Sequence, residues 1–301
     1  MNYNKPPLTI ARQIQVLEER GLIFEDKERA ERYLSFISFY RFRAYTYPYQ
    51  DNINPYHPFY EGITFNTILN TYLFDRKLRL LVFDAIERIE IAFRTQMIYQ
   101  YSIVHGGYWF ENMELYRNEE LYNRDLKSID KDINRSNEQF IKHYHKKYAN
   151  PQRPPAWMTL ETTTLGELSK IYENLRINSE KKAISRKFCL GHPIVLESWM
   201  RSLSVVRNIC AHHGRLWNRE ISAKMKFPTN TSCVWLSEDT FPHGRMYMVV
   251  SSILFLLNTI IPGNHFKTKF KALVDQYPEI SLRQMGFPSD WKNEPLWSNK
   301  S

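Results

Sequence analysis

The chain has 301 residues, 43% of them hydrophobic, with only ten glycines, enough for a core in one or two domains but too few glycines for a doubly wound nucleotide fold. A formal charge of +9 points to a polyanionic partner. Three cysteines, Cys189, Cys210 and Cys233, with no CxxC spacing, exclude a disulfide-built scaffold and read as reduced, cytoplasmic and free of metal.

The first residues, Met1 to Leu8, show no signal-peptide hydrophobic run. Thr9 caps a helix that ends at Gly21, and Asp26 caps a second running to about Tyr40. They make a small helical module over residues 1–50. Tyr40 to Tyr49 interleaves Arg41 and Arg43 with five aromatic residues. Such a run suits stacked bases and paired phosphates, and equally an aromatic edge packed onto a helical bundle. Pro55 and Pro58 mark residues 51–60 as a loop.

A bundle is expected over 61–276. Its first helix runs from Thr64 to about Val104, with charge pairs Asp75–Arg79, Asp84–Arg88 and Glu90–Arg94, most of them surface support. Gly106-Gly107 ends it. A basic insertion at about 108–155 holds one or two polar helices, and Gln139 to Leu160 is free of acids and carries Lys146 and Lys147. Thr164 and Glu167 form a capping box for a helix to about Leu175, and another helix covers Ser179 to Phe188. After Pro193 the apolar residues Leu196, Trp199, Leu203, Val206 and Cys210 fall three or four apart, one buried stripe of a helix. An irregular stretch with a short strand pair follows Pro228. Helices at about 245–261 and 265–276 come next, the first of them a buried bundle helix too short and too polar for a membrane span. Residues 277–301 read as a Trp/Pro-rich tail.

The chemistry concentrates in Arg207-Asn208-Ile209-Cys210-Ala211-His212-His213-Gly214-Arg215-Leu216-Trp217-Asn218-Arg219. Histidine exchanges a proton near neutral pH, and arginine presents a planar cation that matches phosphate oxygens. At about 100° per residue, His212 lies opposite Leu203, with Asn208, Arg215 and Arg219 nearly so. Arg207 lies about 40° from Leu203 and should be half-buried, with Glu90 or Glu161 as partner carboxylate. A solvated basic face explains the same spacing, and a helix stop at Gly214 would void the angles beyond it. Residues 201–226 hold six Lys/Arg against one acid, Glu220.

This segment resembles the signature of the HEPN superfamily, an arginine followed after four to six residues by histidine. It is similar over a longer span to the Abi abortive-infection proteins of the AbiD/AbiF type. Three further segments carry that resemblance: Phe39 to Tyr45, Phe74 to Arg79 with Ile89 to Arg94, and Pro155 to Glu161 with Leu165 to Ser169. Arg43-Ala44 stands where the family usually has a small residue. The resemblance implies an all-α, HEPN-like helical bundle and a cytoplasmic, metal-independent endoribonuclease without cofactor, active in phage defence. It also implies catalytic roles for Arg207, Asn208 and His212, with His213 as a stand-in, and a homodimer that joins two motifs in one site. Arg215, Arg219, Lys146, Lys147, Arg41 and Arg43 would bind the RNA. Two other readings stay open: a protein that holds a structured small RNA without cutting it, and a DNA regulator reading through the N-terminal module. No membrane role is expected.

Overall fold

The structure, a computed structural model, describes residues 6–298. The residues before Pro6, where no signal-peptide run is expected, and those after Ser298, the end of the expected tail, lie outside it. Among the described residues every regular element is helical, twelve α-helices with short 3-10 turns. The strand pair expected after Pro228 is absent there; only an isolated antiparallel bridge joins Leu190 to Thr231. The chain divides into two compact units.

The first unit comprises the residues up to Arg79 and Ala272–Ile280. Helix α1 (Ile10–Glu19) is capped by Thr9, and α2 (Lys27–Phe36) by Asp26, each side-chain oxygen accepting a backbone N–H three residues on. The second helix stops at Phe36, earlier than its periodicity suggests. Ile37 turns extended and the Ser38 hydroxyl accepts from Arg41 N–H, starting α3 (Phe39–Thr46). That break sorts the aromatic run. Phe42 and Tyr45 are buried, while Tyr40 and Tyr47 stay exposed. The Tyr45 hydroxyl donates to Asp75 at 2.5 Å and accepts from Arg79 at 3.0 Å, both on helix α4 (Phe65–His105). Asp75 and Arg79, expected as surface support, are therefore a buried pair. Burial and the neighbouring Asp75 push the Tyr45 hydroxyl well above its ordinary pKa.

The second unit comprises Leu80–Lys271 and the residues from Ser281. It holds the rest of α4, then α5 (Glu119–Arg135), α6 (Gln139–Lys147), α7 (Ala156–Thr159), α8 (Leu165–Asn174), α9 (Ser179–Lys187), α10 (Pro193–Ala211), α11 (Met246–Ile260) and the start of α12 (Phe266–Gln276). The capping box of α8 forms as the sequence implies. Helix α10 packs on α8, α9 and α11, and its stripe Leu196, Trp199, Leu203, Val206 and Cys210 is buried. Residues Met246–Leu257 of α11 are buried around the whole helix, which explains an apolar run that no membrane need hold. No helix among the described residues is long and apolar enough to cross a membrane. The Trp/Pro-rich end is not loose: Trp291 and Trp297 close on Phe270, and Trp297 donates to Ser251 at 2.9 Å.

Two features lie beyond local sequence signals. Cys189 and Cys233, expected to be reduced, form a disulfide, while Cys210 is buried and outside it. The Leu190–Thr231 bridge and the bonds Gly191 N–H to Asn230 and Ser232 N–H to Cys189 carry the two cysteines together. The second is a buried cation, Lys181, clamped at the end of α8. Its ammonium donates to the Leu175 carbonyl at 2.7 Å and pairs with Glu197 at 2.6 Å, which Arg117 also reaches at 2.6 Å. Burial lowers the Lys181 pKa to about 8 against the pull of Glu197.

Candidate functional site

The site grows from the last three turns of α10. The buried stripe fixes the rotation of the helix, so the opposite row faces out. Arg201, Asn208 and His212 occupy that row, seven and four residues apart, within about 40° of one another, and all three are exposed. Ser204 and Val205 lie between them. Two depressions flank the row. One of about 600 Å³ includes Arg117, Arg124, Lys170, Arg201, Ser204 and Asn208 in its lining; a second of about 340 Å³ includes Ser198, Arg201, Lys224 and Lys226. Arg201 and Glu173 line both, so the two form one basic furrow along α10. Arg117 is committed within it, to the Leu175 carbonyl at 2.9 Å and to Glu197. Arg201 is held only loosely, 3.5 Å from Glu173. The side chains of Lys170, Lys224 and Lys226 make no ion pair among the described residues.

The helix ends at Ala211, so the stop comes sooner than the angles through Arg219 assume. His212 is the C-cap, its N–H donating to the Asn208 carbonyl at 3.0 Å. His213 takes a left-handed conformation with φ of 55°, a position usually given to glycine. Its N–H donates to Cys210 at 3.0 Å, and Gly214 N–H to Ile209 at 2.8 Å, the two bonds of a Schellman stop. Gly214 is needed at the next step because a Cβ there would meet the Ile209 carbonyl and methyl, each at 3.3 Å. Leu216 and Trp217, fully buried, then anchor the chain.

Arg207 is half-buried as the helical angle implies, but its partner differs. Its guanidinium lies 5.9 Å from the ring centre of Phe83 and donates to Asn208 Oδ1 at 3.4 Å. Glu90 and Glu161, the expected carboxylates, both turn to Arg94, at 2.8 and 3.7 Å. Arg94 also donates to the Thr163 carbonyl at 3.0 Å and so ties α4 to the segment before α8, which leaves Arg207 with the Phe83 ring and Asn208 rather than a carboxylate. No hydrogen bond links Arg207 to His212.

The structure thus brings together Arg207, Asn208 and His212 on one helix end. Arg219 is off the helix but folds back: its Nη1 donates to the Arg215 carbonyl at 3.4 Å and lies 3.6 Å from the Cβ position of Gly214. Arg215 is half-buried just past the stop. Lys146 and Lys147 sit exposed at the end of α6, Lys147 over the Tyr148 ring at 5.3 Å, with no hydrogen bond or ion pair to the motif. Arg41 and Arg43 belong to the first unit, Arg41 exposed and Arg43 half-buried. The sequence reading passed over Arg201, Lys170, Arg124, Lys224 and Lys226. Arg201 was findable, since it shares the helical face of Asn208 and His212; the others reach the furrow from α5, α8 and the segment after the motif.

Among the described residues no three His, Cys, Asp or Glu side chains gather closely enough to hold a metal ion. Chemically, the furrow offers cations along α10 as far as Asn208, with the exposed imidazole of His212 one helical turn beyond and the half-buried guanidinium of Arg207 beside Asn208. The sequence model of the family described as Abi-like protein matches residues 32–218, a span that opens in α2 and closes just past the helix stop. No curated protein and no solved structure matches the chain.

Proposed function

The chain belongs to the Abi-like protein family, and from that premise we propose that it is a metal-independent endoribonuclease of the HEPN type, acting in the cytoplasm in abortive infection. The observation that carries the reading is the single exposed row Arg201, Asn208 and His212 at the end of α10, whose first two members line a basic furrow. A strand laid along that row meets a cation at one end and an acid–base group at the other. From Ser198 to Asn208 the furrow follows about 15 Å of helix.

The RNA supplies its own nucleophile. The 2′-hydroxyl attacks the adjacent phosphorus, His212 takes up its proton, the O2′–P bond forms and the P–O5′ bond breaks. A proton returned to the 5′-oxygen completes the exchange. Arg207 stabilises the charge that develops on the phosphorane, and its contact with Phe83 keeps that cation partly dehydrated, where it acts more strongly. Asn208 orients Arg207 through its side-chain oxygen. His213 holds the helix stop, and Arg215, Arg219, Lys146 and Lys147 bind flanking phosphates.

Purified wild-type protein and His212→Ala are to be compared on single-stranded RNA in EDTA. The wild type should cleave and leave a 2′,3′-cyclic phosphate, whereas His212→Ala should lose cleavage by about a hundredfold or more with an unchanged melting temperature, because an exposed cap residue leaves no cavity. Full activity in the variant would remove His212 from the chemistry. The rival reading, a protein that holds a structured RNA without cutting it, draws on the exposed lysines of α6. Tight RNA binding with no cleavage by the wild type would select it.

A further inference from the structure

We propose that the first unit carries a separate binding site for single-stranded nucleic acid, in the groove between α2 and the first turns of α4. The groove has a volume of about 670 Å³, and Arg29, Arg32, Tyr33, Phe36, Tyr72 and Arg76 are among the side chains that line it. Nothing in the cleavage reading uses it.

Three facts define its occupant. Phe36, the last residue of α2, is 89% exposed, and four residues later Tyr40 is 86% exposed. Two large rings so exposed, four residues apart, mark a contact surface. Second, Arg29, Arg32 and Arg76 make no ion pair among the described residues, although Glu28 and Glu31 stand on α2; the described pairs made by α1 and α2, Arg12 with Glu19 and Lys27 with Glu18, are closed at 2.8 and 2.7 Å. Arg29 lies 5.8 Å from the Tyr33 ring centre, so cation and ring present one continuous face. Third, the groove is lined by three flat rings, Tyr33, Phe36 and Tyr72, together with three planar cations, Arg29, Arg32 and Arg76. Its complement is a molecule with flat apolar faces joined by an anionic backbone. Unstacked bases on their phosphates have that form, and a duplex does not, because its bases are inside.

The test uses the full chain carrying His212→Ala, so that binding is read without cleavage, and fluorescence anisotropy of a labelled oligouridylate, single-stranded or annealed to its complement. Phe36→Ala should weaken single-strand binding about tenfold with an unchanged salt dependence. Arg32→Gln with Arg76→Gln should weaken it at least as much and lower the salt slope by about 0.7 per arginine. All three side chains are at the surface, so thermal melts should coincide and a fold defect is ruled out by that control. Affinity within twofold of the parent for both variants would overturn the proposal, as would equal losses for the duplex. So would a result in which the variants lose only flotation with phosphatidylglycerol vesicles, which would make the groove a membrane contact. Cleavage of a dinucleotide by the otherwise wild-type Phe36→Ala protein separates the two claims. It should be undiminished, and its absence from the wild type as well would sink the nuclease reading while leaving the groove standing.

Discussion

At the scale of single residues, Arg207 changes meaning once its surroundings are visible. A half-buried guanidinium paired with a carboxylate would leave a stranded charge on truncation, at about 3–5 kcal/mol. Phe83 is its neighbour instead, and a cation over a ring contributes about 0.5–2 kcal/mol. Arg207→Ala is therefore expected to lose cleavage while unfolding only about 1 kcal/mol more easily, as chemical denaturation would read it. A loss beyond about 3 kcal/mol would mean that the side chain carries the fold rather than the chemistry. Arg207→Lys keeps the charge but not the planar fork, and should recover stability without recovering rate.

At the scale of elements, the start of α8 is where stability and pH meet. Burial works against the Glu167 carboxylate, yet hydrogen bonds from Ser128 at 2.6 Å and Thr164 N–H at 2.8 Å outweigh it and hold its pKa below the ordinary value. Asp132, buried on α5, faces that carboxylate; burial first and Glu167 second raise its pKa to about 6, despite Arg135. Between about pH 4 and 6 the folded chain thus holds a proton that the unfolded chain has released. Stability from this group is present below the unfolded pKa and is lost as pH rises through 6. Asp132→Asn should accordingly stabilise the protein at pH 7, by about 1–2 kcal/mol, with the gain gone by about pH 4; melts across that range decide it, and a gain that persists at pH 4 would reject the assignment. The capping box itself was legible, since Thr164 and Glu167 are three residues apart, and so was the stripe of α10. What stayed hidden joins distant segments: Asp132 with Glu167, Cys189 with Cys233, and Glu161 with Arg94 in place of Arg207, whereas Glu90, four residues from Arg94, was legible as its partner. The break at Ile37-Ser38 was readable in principle, as a β-branched residue before a capping serine, but the apolar periodicity of α2 runs across it. In the site, His212 and Asn208 followed from helical angles. Arg215 and Arg219 did not, because the angles fail once the chain turns left-handed at His213, just past the His212 cap.

At the scale of the whole molecule, one copy of the motif supplies the His212 imidazole and the half-buried Arg207 guanidinium, about 140° apart around α10 and not hydrogen-bonded to each other. Two-fold pairing of the exposed rows would bring the His212 of one protomer to the Arg207 of its partner. Mixing His212→Ala protomers with Arg207→Ala protomers should then yield dimers in which one of the two composite sites is intact, recovering up to about a quarter of wild-type activity at equal mixing from two inactive parents. Analytical ultracentrifugation with and without RNA must show a dimer at the same concentrations. A monomer that cleaves efficiently would refute the pairing.

The left-handed turn at His213 has one more consequence, for insertions. The helix stop, His212 and the Leu216–Trp217 anchor form one rigid sequence of steps. One residue added between Arg207 and His212 would rotate all of them by about 100° and advance them about 1.5 Å. The imidazole would leave the row of Arg201 and Asn208, and two large side chains would leave their sockets. In this protein the spacing of the motif is therefore not a free parameter but is locked to the core by the two residues that follow it.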